Sequence, residues 1–329
     1  MGILNRRALL KGVAALPVAG AVVAGARPVL ADGHGMAGGQ AATDGAALYG
    51  AQLGAFRITA LLDGIVPLGR AFFLGGAEVD QVLAEAAVGP DVLPAPVSAF
   101  LLQSQDRTIL IDAGMDAGMG EQQGLGPGLG RMMAGLAAAG VAPGDVDLVV
   151  LTHAHPDHLG GLIKGGAPVF ANAELAVSET EAAFWTDAGI MAQAPAEAQP
   201  TFQLAQSVFS AYGNRVTRVA DGGEATKGVS MMLSPGHTPG HSVVRIDGGD
   251  RQLLMIADTL ASADVHTALP DVGFGFDSDP AQAAASRRRI FDMVSADRTL
   301  VAGTHVHFPG FGRIIKAGSA YRYLPATWM

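Results

Sequence analysis

From Phe56 onward, short apolar and β-branched runs alternate with longer alanine-rich stretches, the pattern of strands separated by helices around a buried sheet. The runs predict strands at residues 56–62, 98–103, 108–112, 148–152, 169–171, 216–219, 229–233, 242–246, 253–257 and 299–302. Several of them end directly in polar or charged residues. Helical composition occupies residues 130–139 and 280–295, the second with a proline near its start; Arg287, Arg288 and Arg289 are expected on its solvated face. The glycine-rich stretch 124–130 lacks the Lys-Ser/Thr and dinucleotide spacings of a phosphate cradle and reads as a mobile loop. No period of 20–50 residues recurs, which argues against a solenoid. One α/β domain is the simplest organisation.

The N-terminus stands outside this pattern. Arg6, Arg7 and Lys11 precede an uncharged run of small and apolar residues over 12–26, interrupted by Pro17 and followed by Val29-Leu30-Ala31. The run is shorter than the roughly 20 residues of a membrane span, and Val29 and Ala31 fit a small-residue cleavage rule. A signal peptide over 1–31 is expected, with cleavage after Ala31. Asn5-Arg6-Arg7-Ala8-Leu9-Leu10-Lys11 resembles the twin-arginine export motif, which predicts a periplasmic or secreted protein with no stable membrane insertion after cleavage. Residues 32–50 begin with a stretch rich in glycine and small polar side chains and are expected to form a flexible leader, and 51–329 the folded domain.

Composition narrows the chemistry. The chain of 329 residues has 21 Lys+Arg against 30 Asp+Glu, a net charge of −9, and no basic block beyond the N-terminus. It therefore offers no electrostatic footprint for nucleic acid. The absence of cysteine excludes disulfides and thiolate metal sites, leaving imidazole and carboxylate as metal donors.

Those donors are concentrated. Thr152-His153-Ala154-His155-Pro156-Asp157-His158-Leu159-Gly160-Gly161 places three imidazoles and a carboxylate within six residues, immediately after an apolar strand. In an extended strand end His153 and His155 point the same way, while a turn at Pro156 redirects Asp157 and His158. One strand end could therefore feed two metal ions. His237, Asp258 and His305 each follow another predicted strand, the positions where open α/β sheets bind ligands.

His153-x-His155-x-Asp157-His158 followed in order by His237, Asp258 and His305 resembles the metallo-β-lactamase fold hydrolases. FRITALLDGIVPL over 56–68, Leu110-Ile111-Asp112-Ala113-Gly114, Ala183-Phe184-Trp185, residues 235–241 and residues 305–312 are similar to the methyl parathion hydrolase subgroup. The resemblance implies a single-domain αββα sandwich with two divalent metal ions in the cleft between its sheets. It implies that His153, His155 and His237 hold one ion, Asp157, His158 and His305 the other, and that Asp258 and a hydroxide bridge them. Zinc is the first expectation, with manganese, cobalt or iron compatible with the same N/O donors. The hydroxide would be the nucleophile, and Asp157 could also relay a proton.

Asp112 matches a residue that orients ligands from behind in this fold, and His241 and His307 are expected to support or pack near the ligands. Trp185 and Phe202 match pocket aromatics of the subgroup; Phe72, Phe73, Phe274 and Phe276 lie in glycine-rich loops that could line a pocket. Leu125 stands where methyl parathion hydrolase has an aromatic. His266 is expected to be exposed. The expected activity is hydrolysis of lactones or aryl esters, with phosphotriesters as further substrates, in a chain that could form a homodimer. Competing readings are a β-lactamase or thioesterase of the same fold, or a metal-binding protein without turnover.

Overall fold

The computed structural model describes residues 46–86, 93–116, 118, 120 and 128–326. The expected signal peptide, most of the leader, most of the glycine-rich loop and Leu125 lie outside the described residues. Two seven-stranded sheets face each other. The first runs in chain order through Leu48–Leu53, Phe56–Leu68, Leu93–Gln103, Thr108–Ile111, Leu148–Leu151, Glu174–Ser178 and Val216–Val219. From Thr108–Ile111 onward its neighbours are parallel. The second runs through Glu224–Thr226, Val229–Leu233, Ser242–Asp247, Gln252–Met255, Leu300–Ala302, Phe311–Ala317 and Ala320–Pro325, with Gln252–Met255 and Leu300–Ala302 parallel.

The apolar runs are buried on both faces. Leu148 and Val150 pack toward the second sheet with Val244, Ile246, Leu253 and Met255. Val149 and Leu151 point the other way, against Leu136, Phe202 and their neighbours. Each such side chain contributes about 1.5–3 kcal/mol, and a one-residue slip would exchange the two faces. Helices Met132–Ala138, Glu179–Thr186 and Gln199–Tyr212 cover the first sheet, and Pro280–Ala296 covers the second through Ile290, Phe291 and Val294. The layers are therefore α, β, β, α, as the resemblance implies. Among the described residues no helix is long and apolar enough to cross a membrane.

Three local expectations are corrected. Leu48–Leu53 is a strand paired with Phe56–Leu68, so residues 48–50 of the segment expected as leader belong to the first sheet. Residues 169–171 form no strand; the strand is Glu174–Ser178, in register with Leu148–Leu151. Arg287 is buried because it shares the inward stripe of Ala283, Ile290 and Val294. Its guanidinium donates to the carbonyls of Thr259, Pro270 and Val272 at 2.7–2.8 Å.

Candidate metal centre

The parallel strand Leu148–Leu151 ends at Thr152, and the next residues leave the sheet as extended chain. His155 caps a one-turn helix, Pro156–Leu159, with Pro156 at its first position, where a missing N–H costs nothing. This turn separates His153 and His155 from Asp157 and His158. It also requires close packing, since a Cβ on Gly161 would lie 2.2 Å from the Ala113 carbonyl oxygen. The Ser242 N–H donates to the Thr152 carbonyl at 3.0 Å, joining this loop to the second sheet.

All seven expected ligand residues converge here. Three groups have donor atoms within 4.8 Å of one another: His153, His155 and His237; His153, His158 and Asp258; and Asp157, His158 and His305. Asp258 is central, its Oδ2 lying 3.2 Å from His237 Nε2, 3.1 Å from His305 Nε2 and 4.0 Å from His153 Nε2. Its Oδ1 lies 3.1 Å from His158 Nε2. Asp157 Oδ2 is 3.6 Å from His158 Nε2 and 3.5 Å from His305 Nε2.

The far nitrogens of the imidazoles are held from behind. His158 Nδ1 donates to Asp112 at 2.8 Å, His237 Nδ1 to Asp277 at 2.9 Å, and His305 Nδ1 to the Pro96 carbonyl at 2.8 Å. His153 Nδ1 meets the Thr152 hydroxyl at 3.1 Å, and that hydroxyl donates to Asp112 at 2.8 Å. Such contacts fix ring orientation and raise ligand basicity. Asp112 thus supports two rings at once, from a left-handed backbone position (φ 57°) that turns the chain at its strand end. His241 donates through Nδ1 to the Ser234 carbonyl and accepts the Asp258 N–H at Nε2. It therefore positions Asp258, and burial lowers its pKa to about 3.

Burial pushes His153 and His155 well below the ordinary imidazole range. Burial opposes charge on His158, His237 and His305 too, yet the carboxylates prevail. Asp258, Asp157 and Asp112 raise His158 well above its usual value, and Asp258 and Asp277 lift His237 to about 9. Asp258 itself is pushed up by burial but held well below the carboxylate range by His305, His158, His153 and His237. The buried atoms His153 Nε2, His158 Nε2 and Asp258 Oδ1 make no hydrogen bond, although the last two stand 3.1 Å apart as an ion pair. Their residues form one of the three groups with donor atoms within 4.8 Å of one another, and a cation among them would satisfy all three. The imidazole and carboxylate donors fit a divalent metal.

Other expected site residues lie elsewhere. Phe202 is fully buried between Phe184 and Trp185, in the core rather than a pocket. Trp185 is also buried, but its ring approaches His155 edge-on with centroids 6.0 Å apart. Phe73 is buried against Phe274, whereas Phe72 stacks on the exposed Phe276 at 5.0 Å. His266 is buried, not exposed, because its Nδ1 accepts the N–H groups of Ala261 and Ser262 at the start of helix Ala263–Ala268. His307 is exposed and pairs with Asp264 at 2.9 Å instead of packing near the ligands.

Three carboxylates escaped the sequence reading. Asp277 accepts from His237 and, through its other oxygen, from the Phe274 N–H at 2.8 Å. Asp63 accepts three backbone N–H groups, those of Met115, Gly130 and Met132, and so ties the turn after Asp112 to the helix Met132–Ala138. Glu181 is fully buried and accepts four hydrogen bonds beside the histidine loops. Burial raises its pKa, against those four bonds. The one signal in sequence was Ser178-x-x-Glu181, a helix-start pattern, and Ser178 does cap the helix; nothing in it marks Glu181 as buried.

Comparison with known proteins agrees with this geometry. Residues 92–305 match the family model of the metallo-beta-lactamase superfamily. An N-acyl homoserine lactonase of Bacillus thuringiensis is 23% identical over 256 residues, covering 73% of this chain and 91% of that protein. The crystal structure of AbOPH, a hydrolase in the beta lactamase superfamily, is similar with TM-score 0.80 and 30% identity, over 86% of this chain and 99% of that one. AidC, a dizinc quorum-quenching lactonase in complex with a homoserine product, is similar with TM-score 0.79 and 25% identity, over 87% and 99%. The chain belongs to the metallo-beta-lactamase superfamily and is a metal-dependent hydrolase.

Proposed function

We propose that the chain hydrolyses the ring ester of lactones, N-acyl homoserine lactones foremost, with two zinc ions at this centre. His153, His155 and His237 would hold one ion and Asp157, His158 and His305 the other, with Asp258 facing both. The reading is carried by the three unpartnered polar atoms around Asp258, and the lactonase relatives support the substrate class. When bound, the ions supply Lewis acidity toward the ester carbonyl and bring the pKa of water into the neutral range.

The protein's own groups then divide the work. Asp112, Asp277 and the Pro96 carbonyl keep three imidazoles oriented. The Asp157 side chain is 20% exposed, against 0% for His158, so it is the carboxylate best placed to take a proton and return it to the leaving oxygen. Phe276, next in sequence to Asp277, and Phe72 stacked on it offer apolar surface to an acyl chain. Aryl esters and phosphotriesters present comparable electrophiles, and pocket shape decides among them.

The test is a hydrolysis panel on zinc-loaded protein: N-hexanoyl and N-decanoyl homoserine lactones, a γ-lactone, a phenyl ester, methyl paraoxon and a cephalosporin. Chelator-sensitive turnover led by the homoserine lactones is expected; leadership by the cephalosporin or paraoxon would overturn the substrate class. Export through the twin-arginine-like signal belongs to the same proposal. Replacing Arg6 and Arg7 together by Lys should leave the protein in the cytoplasm on fractionation.

A further inference from the structure

Glu181 lies outside every ligand group, yet it touches both loops of the three-histidine half. Its Oε1 accepts the Ala154 N–H at 2.8 Å, between His153 and His155, and the Trp185 indole N–H at 2.6 Å. Its Oε2 accepts the Thr238 hydroxyl at 2.7 Å and the Gly240 N–H at 2.9 Å, between His237 and His241. The two loops are far apart in sequence and belong to different sheets. Their approach is close at this point, since a Cβ on Gly240 would lie 2.1 Å from the Glu181 nitrogen. The Ser178 hydroxyl, which caps the helix bearing Glu181, donates to the Gly240 carbonyl at 2.8 Å. The Asp157, His158 and His305 half receives nothing from Glu181.

We propose that Glu181 is the positioning residue of the three-histidine half, its two carboxylate oxygens setting the spacing between the His153/His155 loop and the His237 loop. This inference rests on the two-ion reading above. All four partners are neutral donors, so the group needs two accepting oxygens, which only an ionised carboxylate provides. A glutamine amide nitrogen cannot accept. Whichever way the amide turns, the backbone N–H of Ala154 or of Gly240 faces another donor. Supports of this kind are worth about 10- to 100-fold in metal affinity, and here the loss falls on one ion of two.

The experiment measures zinc stoichiometry and chelator-competition affinities for the full-length protein, Glu181→Gln and Thr238→Val, with melting temperatures of the metal-free forms. Each substitution is repeated with His155→Ala and with His305→Ala. The parent is expected to hold two zinc ions; if it does not, the two-ion reading fails before Glu181 is tested. In Glu181→Gln one ion is held as in the parent and the other about 10- to 100-fold more weakly. With His305→Ala the substitution weakens the remaining ion; with His155→Ala it adds nothing. Thr238→Val, which removes one arm, gives a smaller shift in the same direction and carries the test if Glu181→Gln does not fold. Equal weakening of both ions, or a lower melting temperature with both affinities unchanged, would overturn the proposal.

Discussion

The two halves of the proposed centre take their first ligands from the same six residues, but what stands behind them differs. The half formed by His153, His155 and His237 is all imidazole, and it is braced by Glu181 between its loops and by Asp277 on His237. The half formed by Asp157, His158 and His305 carries its own carboxylate and is braced by Asp112 and the Pro96 carbonyl. Two groups serve both. Asp258 faces histidines of each half, and Asp112 reaches His158 directly and His153 through Thr152. Shared supports should therefore fail together, and private supports one half at a time.

The largest effect is expected at the shared ligand. Asp258→Ala should lower kcat/KM by about 10³-fold or more, the scale of several kcal/mol of Lewis-acid stabilisation, and leave fewer than two zinc ions by mass spectrometry. Asp112→Ala should weaken both ions by about 10- to 100-fold, read by chelator competition, whereas Asp277→Asn should weaken only the ion held with His237, by about 10-fold. Asp157→Asn should weaken the ion held with His158 and His305 and, with both ions bound at saturating zinc, still lower kcat by about 10²-fold, the lower range for proton transfer. Unchanged turnover with full metal content would remove that role.

Protons and metal compete for the same atoms. In the metal-free protein His158, His237 and His305 all titrate above the ordinary imidazole value, His237 at about 9. Near neutral pH the His237 ring holds a proton that a cation must displace, and the raised His158 and His305 add to this competition as pH falls. Calorimetry in buffers of different ionisation enthalpy should therefore show proton release on zinc uptake, with affinity decreasing from about pH 8 to about pH 6. The smallest effect is expected at a residue that belongs to neither half. Phe276→Ser, on an exposed ring, should leave zinc content and stability unchanged and raise KM a few-fold for N-decanoyl over N-hexanoyl homoserine lactone.

The ligand residues were legible because they cluster after apolar runs that stop at polar residues, and because their order matches the motif of the resembled family. The runs gave an α/β domain, and the layer order came from the resemblance to the metallo-β-lactamase fold. What escaped depends on tertiary packing. Glu181 looks like an ordinary helix-start acid and Asp277 like a loop acid, and only the fold brings them against loops remote in sequence. Arg287 and His266 read as surface residues, yet backbone carbonyls and N–H groups inside the fold satisfy them. Phe202 is turned into the core rather than a pocket, since matching an aromatic says nothing of which face a helix turns inward.

The central claim is that both halves must be filled for hydrolysis. The most direct test adds zinc stepwise to metal-free protein and follows N-hexanoyl homoserine lactone opening against zinc bound per chain. The account predicts little turnover at the first equivalent and full turnover only as the second binds. Full activity at one equivalent, or none at two, would contradict it.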